Sequence, residues 1–335
     1  MGRQRRIKEQ RRHERATQDK HVQPTESPDL TVGYWAVAYL DILGYRSVLW
    51  EMSRKPPLPP PGSEEETRLK AAAARAVKIR REIVGLMDTF MNSASSLSGP
   101  LPDGVPPGWH ETALAWRQFQ IGRARFSDSL FLYAPLAPSP THALPVRAVY
   151  TMLVACSTTM LFQLARGSPD FRETLPLRGA LDMNVGIECP DRARAGSIEK
   201  PSRQLYSPAM ATAYQMEATL ACWPRILVSN DFLDMVRSHA AAEGNDPQAR
   251  MTNQIGTKCG DFLFQDTDGR WAVDYLGAGV RTLPSSAQTV QPFVKDAHEF
   301  ACAARAAHAA KGNAKLVEKY DHLEHYIASR LPLWR

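Results

Sequence analysis

Two aspartates sit where the surrounding sequence is otherwise built for burial. Asp41 nearly closes the run Val32–Ile42, VGYWAVAYLDI, on the same side of a pleat as Trp35, Val37 and Tyr39. Asp128 stands between two serines and two groups of bulky apolar residues in RFSDSLFLY, at the start of the strand expected over Phe126–Tyr133. An ionised carboxylate at such a position is costly unless it is paired or binds a metal. Alone, either residue reads equally as a turn cap or as the partner of an arginine. Two acids on neighbouring strands can instead clamp two divalent cations about 3.5–4 Å apart, the arrangement that stabilises both the attacking and the leaving oxygen of a phosphoryl displacement.

Hydrophobic patterning supplies the elements that must position them. Val32–Ile42 reads as a central strand, ended by Gly44 and followed by a short helix and a Pro-rich loop over 56–62. Charges alternate with Val77, Ile79, Ile83, Val84, Met87 and Phe90 over 64–93, which predicts a long amphipathic helix. A second loop is expected over 99–109. Residues 116–134 predict two strands with a tight turn near Gly122, 143–166 a helix whose stripe Met152–Leu164 is core, and Leu177–Ile187 another strand. Ser207-Pro208 predicts a helix start with Ser207 as N-cap, running to Ala221. Pro224–Ser229 is a strand, Asp268-Gly269 turns a hairpin, and the Ala-rich chain is helical from Pro292 onward. The order is βαββαβ-like: an α+β fold, an antiparallel-containing sheet with helices on one face, and C-terminal helices. The expected divisions are a basic tail over 1–30, a catalytic domain over 31–285 and a helical extension over 286–335.

The flanks of the two aspartates carry a resemblance. DILGY (Asp41–Tyr45) resembles the metal-binding segment of class III nucleotide cyclases, and FSDSL (Phe126–Leu130) the hairpin bearing their second metal aspartate. LRGAL (Leu177–Leu181) and YSPAMATAYQMEA with PRILVS resemble the strand, helix and strand that follow. The likeness runs from about Tyr34 to Leu276. It implies that Asp41, Asp128 and the Ile42 carbonyl bind two Mg²⁺ or Mn²⁺ ions, and that Leu43, Gly44 and Tyr45 cradle a triphosphate, with Arg46 adding a contact. Positions that read a purine edge in the family hold Ala124 and Gln204, and those of its transition-state Asn and Arg hold Ala211 and Gln215. In this respect the chain resembles the bacterial pyrimidine cyclases of Pycsar antiphage defence. That implies a homodimer converting UTP, or CTP, to a 3′,5′-cyclic monophosphate, with Arg123, Arg125, Gln204 and Tyr206 near base or phosphate. A purine cyclase and a catalytically silent nucleotide-binding domain are the alternatives.

Bulk properties constrain the partners. The net charge of +6 is concentrated in residues 1–20, where eight Lys/Arg face three acids, leaving +1 for the rest. No nucleic-acid partner is expected for the body of the chain. The five cysteines show no metal or disulfide spacing, the N-terminus lacks a secretory h-region, and no apolar run approaches the roughly 18–20 residues that span a bilayer. Together these predict a cytoplasmic chain without a transmembrane segment. His322 and His325 are expected on a helix surface, and Asp266–Gly269 as a plain turn.

Overall fold

The computed structural model describes residues 30–53, 58–96, 121–126, 129–136, 145–166, 176–190, 203–244, 246–283 and 286–335. Contacts divide the chain into two compact units, one of Met1–Val32 with Ile187–Leu205 and one of Gly33–Gly186 with Tyr206–Arg335. Among described residues the smaller unit is mostly strand: the opening of β1 (Thr31–Ile42), the far end of β4 (Leu177–Pro190), and β5 (Arg203–Tyr206) up to Leu205, paired to β4.

In the larger unit β1 is followed by the six-residue α1 (Tyr45–Trp50) and the long α2 (Glu64–Ser96). The start of α2 is written locally: Ser63 Oγ accepts from Glu66 N at 3.1 Å, and Gly62 N donates to the Glu66 carboxylate at 2.6 Å, a variant of the capping box shifted by one residue. Its buried stripe is Ala72, Ala76, Ile79, Ile83 and Met87. Val77, expected in that stripe, is 48% exposed because it lies one residue off the i, i+3, i+4 spacing. Phe90 lies outside the described side chains.

Strands β2 (Gly122–Phe126) and β3 (Ser129–Pro135) form the expected hairpin, but Gly122 opens β2 and is not its turn. The register runs from Gly122↔Tyr133 to Phe126↔Ser129, so Gly122 lies at the open end of the pair. Helix α3 (Pro145–Arg166) and β4 follow, and the sheet order β2-β3-β1-β4 is that of a split βαβ unit. Leu43 N donates to Pro176 O at 2.8 Å, and Gly179 lies against the Tyr39 carbonyl and Leu40, so β1 and β4 run in opposite directions. Any Cβ at 179 would strike that carbonyl, which is why the strand carries glycine there.

The sheet continues through β6 (Ile226–Val228), parallel to β4, and the antiparallel hairpin β7 (Leu263–Gln265) and β8 (Trp271–Val273). Helix α4 (Pro208–Leu220) begins as expected, with Ser207 Oγ accepting from Ala209 N. Sequence reading omitted α5 (Asn230–Ala240) and α6 (Pro247–Gly260), although Ser229 and Asp246-Pro247 are ordinary start signals, each capping with its side chain. After α7 (Ala278–Arg281), α8 (Ser286–Ala310) begins six residues before Pro292, which it contains, and the chain ends in α9 (Ala314–Arg330) and a 3₁₀ turn, Leu331–Trp334.

One face of the sheet makes the core. Ala36, Ala38, Leu40 and Ile42 of β1 and Leu130, Leu132 and Ala134 of β3 join the same cluster as α2, α3, α8 and α9 residues such as Met87, Leu153, Ala301 and Leu323. Helix α3 corrects the expectation of no bilayer-length run: Val146–Ala165 is long and apolar enough to cross a membrane. Nearly all of it is buried among the other helices, which makes it the core helix of this fold.

Candidate functional site

Strand parity puts Trp35, Val37, Tyr39 and Asp41 on the face opposite that core. Phe131 and Tyr133 of β3 share it, with Tyr39 and Phe131 rings 4.7 Å apart and Trp35 edge-on to Tyr133 at 5.9 Å. At the C-terminal end of β1 the aromatic floor gives way to polar groups. Asp41 pairs across the strands with Ser129, the first residue of β3.

Ser129 Oγ donates to Asp41 Oδ1 at 3.3 Å and lies 2.7 Å from the Tyr39 hydroxyl, so a hydroxyl relay fixes that side of the carboxylate. The other oxygen, Oδ2, takes an N–H of Arg178 from β4 at 3.4 Å. Arg178 is held more closely by Glu217 of α4, whose side chain is only 3% exposed. Tyr214 of the same helix meets Tyr39 edge-on at 5.5 Å, so α4 borders this end of the face. Asp41 itself keeps 14% of its side-chain surface exposed. The contacts from Ser129 and Arg178 are long beside the roughly 2.7–2.9 Å of a strong charge-assisted bond.

The other expected site residues divide sharply. Ile42 is buried in the core. The Leu43 N–H is engaged by Pro176 O, so it is committed to the sheet and not to a phosphate. Gly44 has φ +87°, a left-handed turn that selects glycine, and is exposed. Tyr45 is buried, its hydroxyl donating to Ala76 O at 3.0 Å, so its side chain ties α1 to α2 and faces no substrate. The Arg46 side chain and the whole of Asp128 lie outside the described residues, as do the side chains of Arg123 and Arg125.

Backbone register still places three β2 positions. Arg123 pairs with Leu132 and Arg125 with Leu130, both core-facing, whereas Ala124 pairs with Phe131 on the Asp41 face. Ala124, and neither arginine, therefore shares the register of Asp41. Gln204 is exposed in the smaller unit, and Tyr206, at 61% exposure, opens the way to the α4 cap in the larger one. Ala211 and Gln215 are exposed one turn apart on α4.

Sequence reading missed the groups that frame Asp41: Tyr39, Ser129, Arg178 and Glu217. One signal was available, since Arg178 interrupts an apolar strand and needs a partner. His322 and His325 are exposed as expected. The turn Asp266–Gly269 does more than turn: both aspartates pair with Arg225, which is 1% exposed and also donates to Leu220 O at 2.8 Å. The space beneath β1 on the helix side, bounded by Leu40, Ile83 and Met87, amounts to about 10 Å³, room for one water at most and not a substrate cavity.

An oxygen-only donor set of carboxylate and hydroxyl suits a hard cation such as Mg²⁺ or Mn²⁺ rather than a thiophilic one. Asp41 fits one ligand of such an ion.

No protein-family description matches the sequence, and no curated protein matches it. Among solved structures the chain is similar to a bacterial light-regulated adenylyl cyclase (11% identity, TM-score 0.40, 87% of this chain and 69% of that one). It is also similar to the guanylyl cyclase Cya2 (12%, TM-score 0.37, 74% and 93%) and the adenylyl cyclase CyaB from P. aeruginosa (14%, TM-score 0.32, 63% and 83%). At these scores the likenesses add nothing to what the residues themselves support.

Proposed function

We propose that this chain is a nucleotide cyclase of the class III type, acting on a pyrimidine nucleoside triphosphate, UTP before CTP, as a homodimer with Mg²⁺ or Mn²⁺. One observation carries the reading. The register Asp41↔Ser129 brings DILGY and FSDSL, distant in sequence, to the same end of two paired strands. Asp128 is the residue before Ser129 in sequence and lies outside the described residues, so the register of its neighbour is what supports the pairing.

The reaction needs no nucleophile from the protein. The substrate's 3′-hydroxyl attacks the α-phosphorus, its proton leaves to solvent, and pyrophosphate departs with the bonding electrons. The chemistry a divalent cation would supply here is acidification of that hydroxyl and neutralisation of charge on the leaving group. Asp41 would hold one cation, with Ser129 and Tyr39 fixing the angle of its carboxylate. Arg178, shared between Asp41 and Glu217, compensates the carboxylate, and Glu217 offers it an alternative partner. The purine-reading position on the Asp41 face is Ala124, which offers a base no hydrogen bond. A pyrimidine product fits a second messenger of antiphage defence.

One observation favours a second reading, a silent nucleotide-binding domain: Arg178 already pairs with Asp41, as it would in a purely structural ion pair. Incubation with each of the four NTPs and Mn²⁺, with products resolved by chromatography, separates the two. Cyclic UMP or cyclic CMP with pyrophosphate supports the proposal. Cyclic AMP or GMP formed equally well removes the pyrimidine part alone, and binding without any cyclic product leaves the silent domain.

A further inference from the structure

Far from Asp41, the C-terminal helix pair gathers a different set of ligands. His298 and Cys302 are one turn apart on α8, with His298 Nε2 3.8 Å from Cys302 Sγ. Glu324 of α9 faces them, and one donor atom from each of the three lies within 4.8 Å of the others. All three are half-buried. Their backbones are well fixed: Ala297, Ala301 and Leu323, interleaved with them, belong to the core, and the tight turn at Gly312 (φ +66°) joins the helices.

This is the chemistry of a borderline-soft transition metal. Thiolate, imidazole and carboxylate form a usual zinc donor set, and three protein ligands leave one tetrahedral position open. Zn–S and Zn–N lengths of about 2.3 and 2.0 Å put ligand atoms of a tetrahedral site roughly 3.3–3.6 Å apart. The imidazole–thiol separation is nearly there, and side-chain rotation of Glu324 closes the rest. A divalent ion there would face two anionic ligands, thiolate and carboxylate, beside the imidazole.

The surroundings supply outer support. Arg305, one further turn along α8, has Nε 2.7 Å from Glu324 Oε2, yet outside hydrogen-bonding geometry, so that buried oxygen carries an ion pair but no directed hydrogen bond. Arg305 also reaches Asp321 at 3.7 Å, whose other oxygen lies 3.6 Å from His325. Such a guanidinium can orient the carboxylate while its second oxygen turns to the ion.

We propose that His298, Cys302 and Glu324 form a zinc-class transition-metal site that joins α8 to α9, separate from the oxygen-donor corner at Asp41. The proposal stands independently of cyclase activity.

Co²⁺ titration of the full chain, followed by displacement with Zn²⁺, tests it. The expected result is a near-ultraviolet thiolate-to-cobalt band that saturates at one equivalent, with visible bands of tetrahedral intensity, both bleached by Zn²⁺. Cys302→Ser should abolish the thiolate band, His298→Gln should weaken binding by more than about 100-fold, and Cys222→Ser should change nothing. Circular dichroism of each metal-free variant checks that the helices persist, and either of the first two variants suffices if the other fails to fold. A wild-type chain without the thiolate band at stoichiometric Co²⁺, or a band unchanged in both Cys302→Ser and His298→Gln, overturns the site. Because Co²⁺ at an oxygen-only site gives no thiolate band, that band reports on this cluster whatever happens at Asp41.

Discussion

Two aspartates, each facing an arginine, show how differently this chain treats the same pair of side chains. Asp274, after β8, accepts from the Tyr326 hydroxyl at 2.8 Å and from Arg330 Nε at 3.0 and 3.1 Å. Tyr326 in turn accepts from Leu276 N at 3.0 Å, while Trp334 Nε1 donates to Leu276 O at 2.8 Å, so the last residues of the chain are clasped to the β8 end. The Asp274 side chain is 10% exposed, close to the 14% of Asp41. Burial does not separate the two; the kind of partner does. Asp274 takes its tyrosine and arginine donors from α9 alone, with Arg330 Nε reaching both of its oxygens. Asp41 meets Ser129 from β3 and an arginine from β4, Arg178, that Glu217 holds more closely. A shared arginine can be given up more readily than one that belongs to a single carboxylate.

That contrast can be broken in several ways. The largest effect expected is on turnover: Asp41→Ala should lower kcat by at least about 100-fold while leaving the chain folded, since it removes a ligand and relieves a carboxylate. Steady-state cyclase assays with Mn²⁺, beside near-ultraviolet circular dichroism, check both halves. Asp274→Ala should do the reverse, costing about 3 kcal/mol in urea unfolding because Arg330 and Tyr326 lose their partner in a buried network, with kcat of the folded fraction little changed. Equal stability losses for the two variants would erase the distinction between them.

Smaller effects sharpen the comparison. Glu217→Gln frees Arg178 to pair more tightly with Asp41, so the Mn²⁺ concentration for half-maximal activity should rise about tenfold. An unchanged metal requirement would show that Arg178 does not compete. Acid unfolding adds a smaller term. Burial depresses the His239 pKa, so the native state binds fewer protons than the unfolded chain just below the usual histidine value. Stability is therefore retained above that value and falls as pH drops from it toward the lowered native pKa. His239→Gln should flatten that part of the pH–stability curve and leave the Asp41 and Asp274 contrasts intact.

How much of this was legible in the residues follows from which forces are local. Helix starts were readable where a side chain caps its own backbone, as at Ser207, and equally so at Ser229 and Asp246, which were passed over. The strand face of Asp41 followed from period two alone. The hairpin turn did not, because Gly122 is the obvious turn residue, and only pairing with β3 shows it to be the strand's first residue. The resemblance implied Arg123 and Arg125 near substrate, yet one-residue parity sets their register with the core-facing leucines. The partners Ser129 and Arg178 of Asp41 come from β3 and β4, 88 and 137 positions away in sequence, and no local pattern announces such a meeting. The same holds for His298, Cys302 and Glu324, which only the packing of α8 on α9 assembles.

The central claim is that Asp41 is a catalytic metal ligand and Asp274 a structural one, and one assay addresses it directly. Wild type, Asp41→Ala and Asp274→Ala are each incubated with UTP, CTP, ATP and GTP and Mn²⁺, and products are separated by chromatography, with rates normalised to folded protein. The account predicts a 3′,5′-cyclic pyrimidine monophosphate and pyrophosphate from wild type and from folded Asp274→Ala, and none from folded Asp41→Ala. Cyclic product from Asp41→Ala at the wild-type rate, or none from the wild-type chain with any of the four triphosphates, would contradict it.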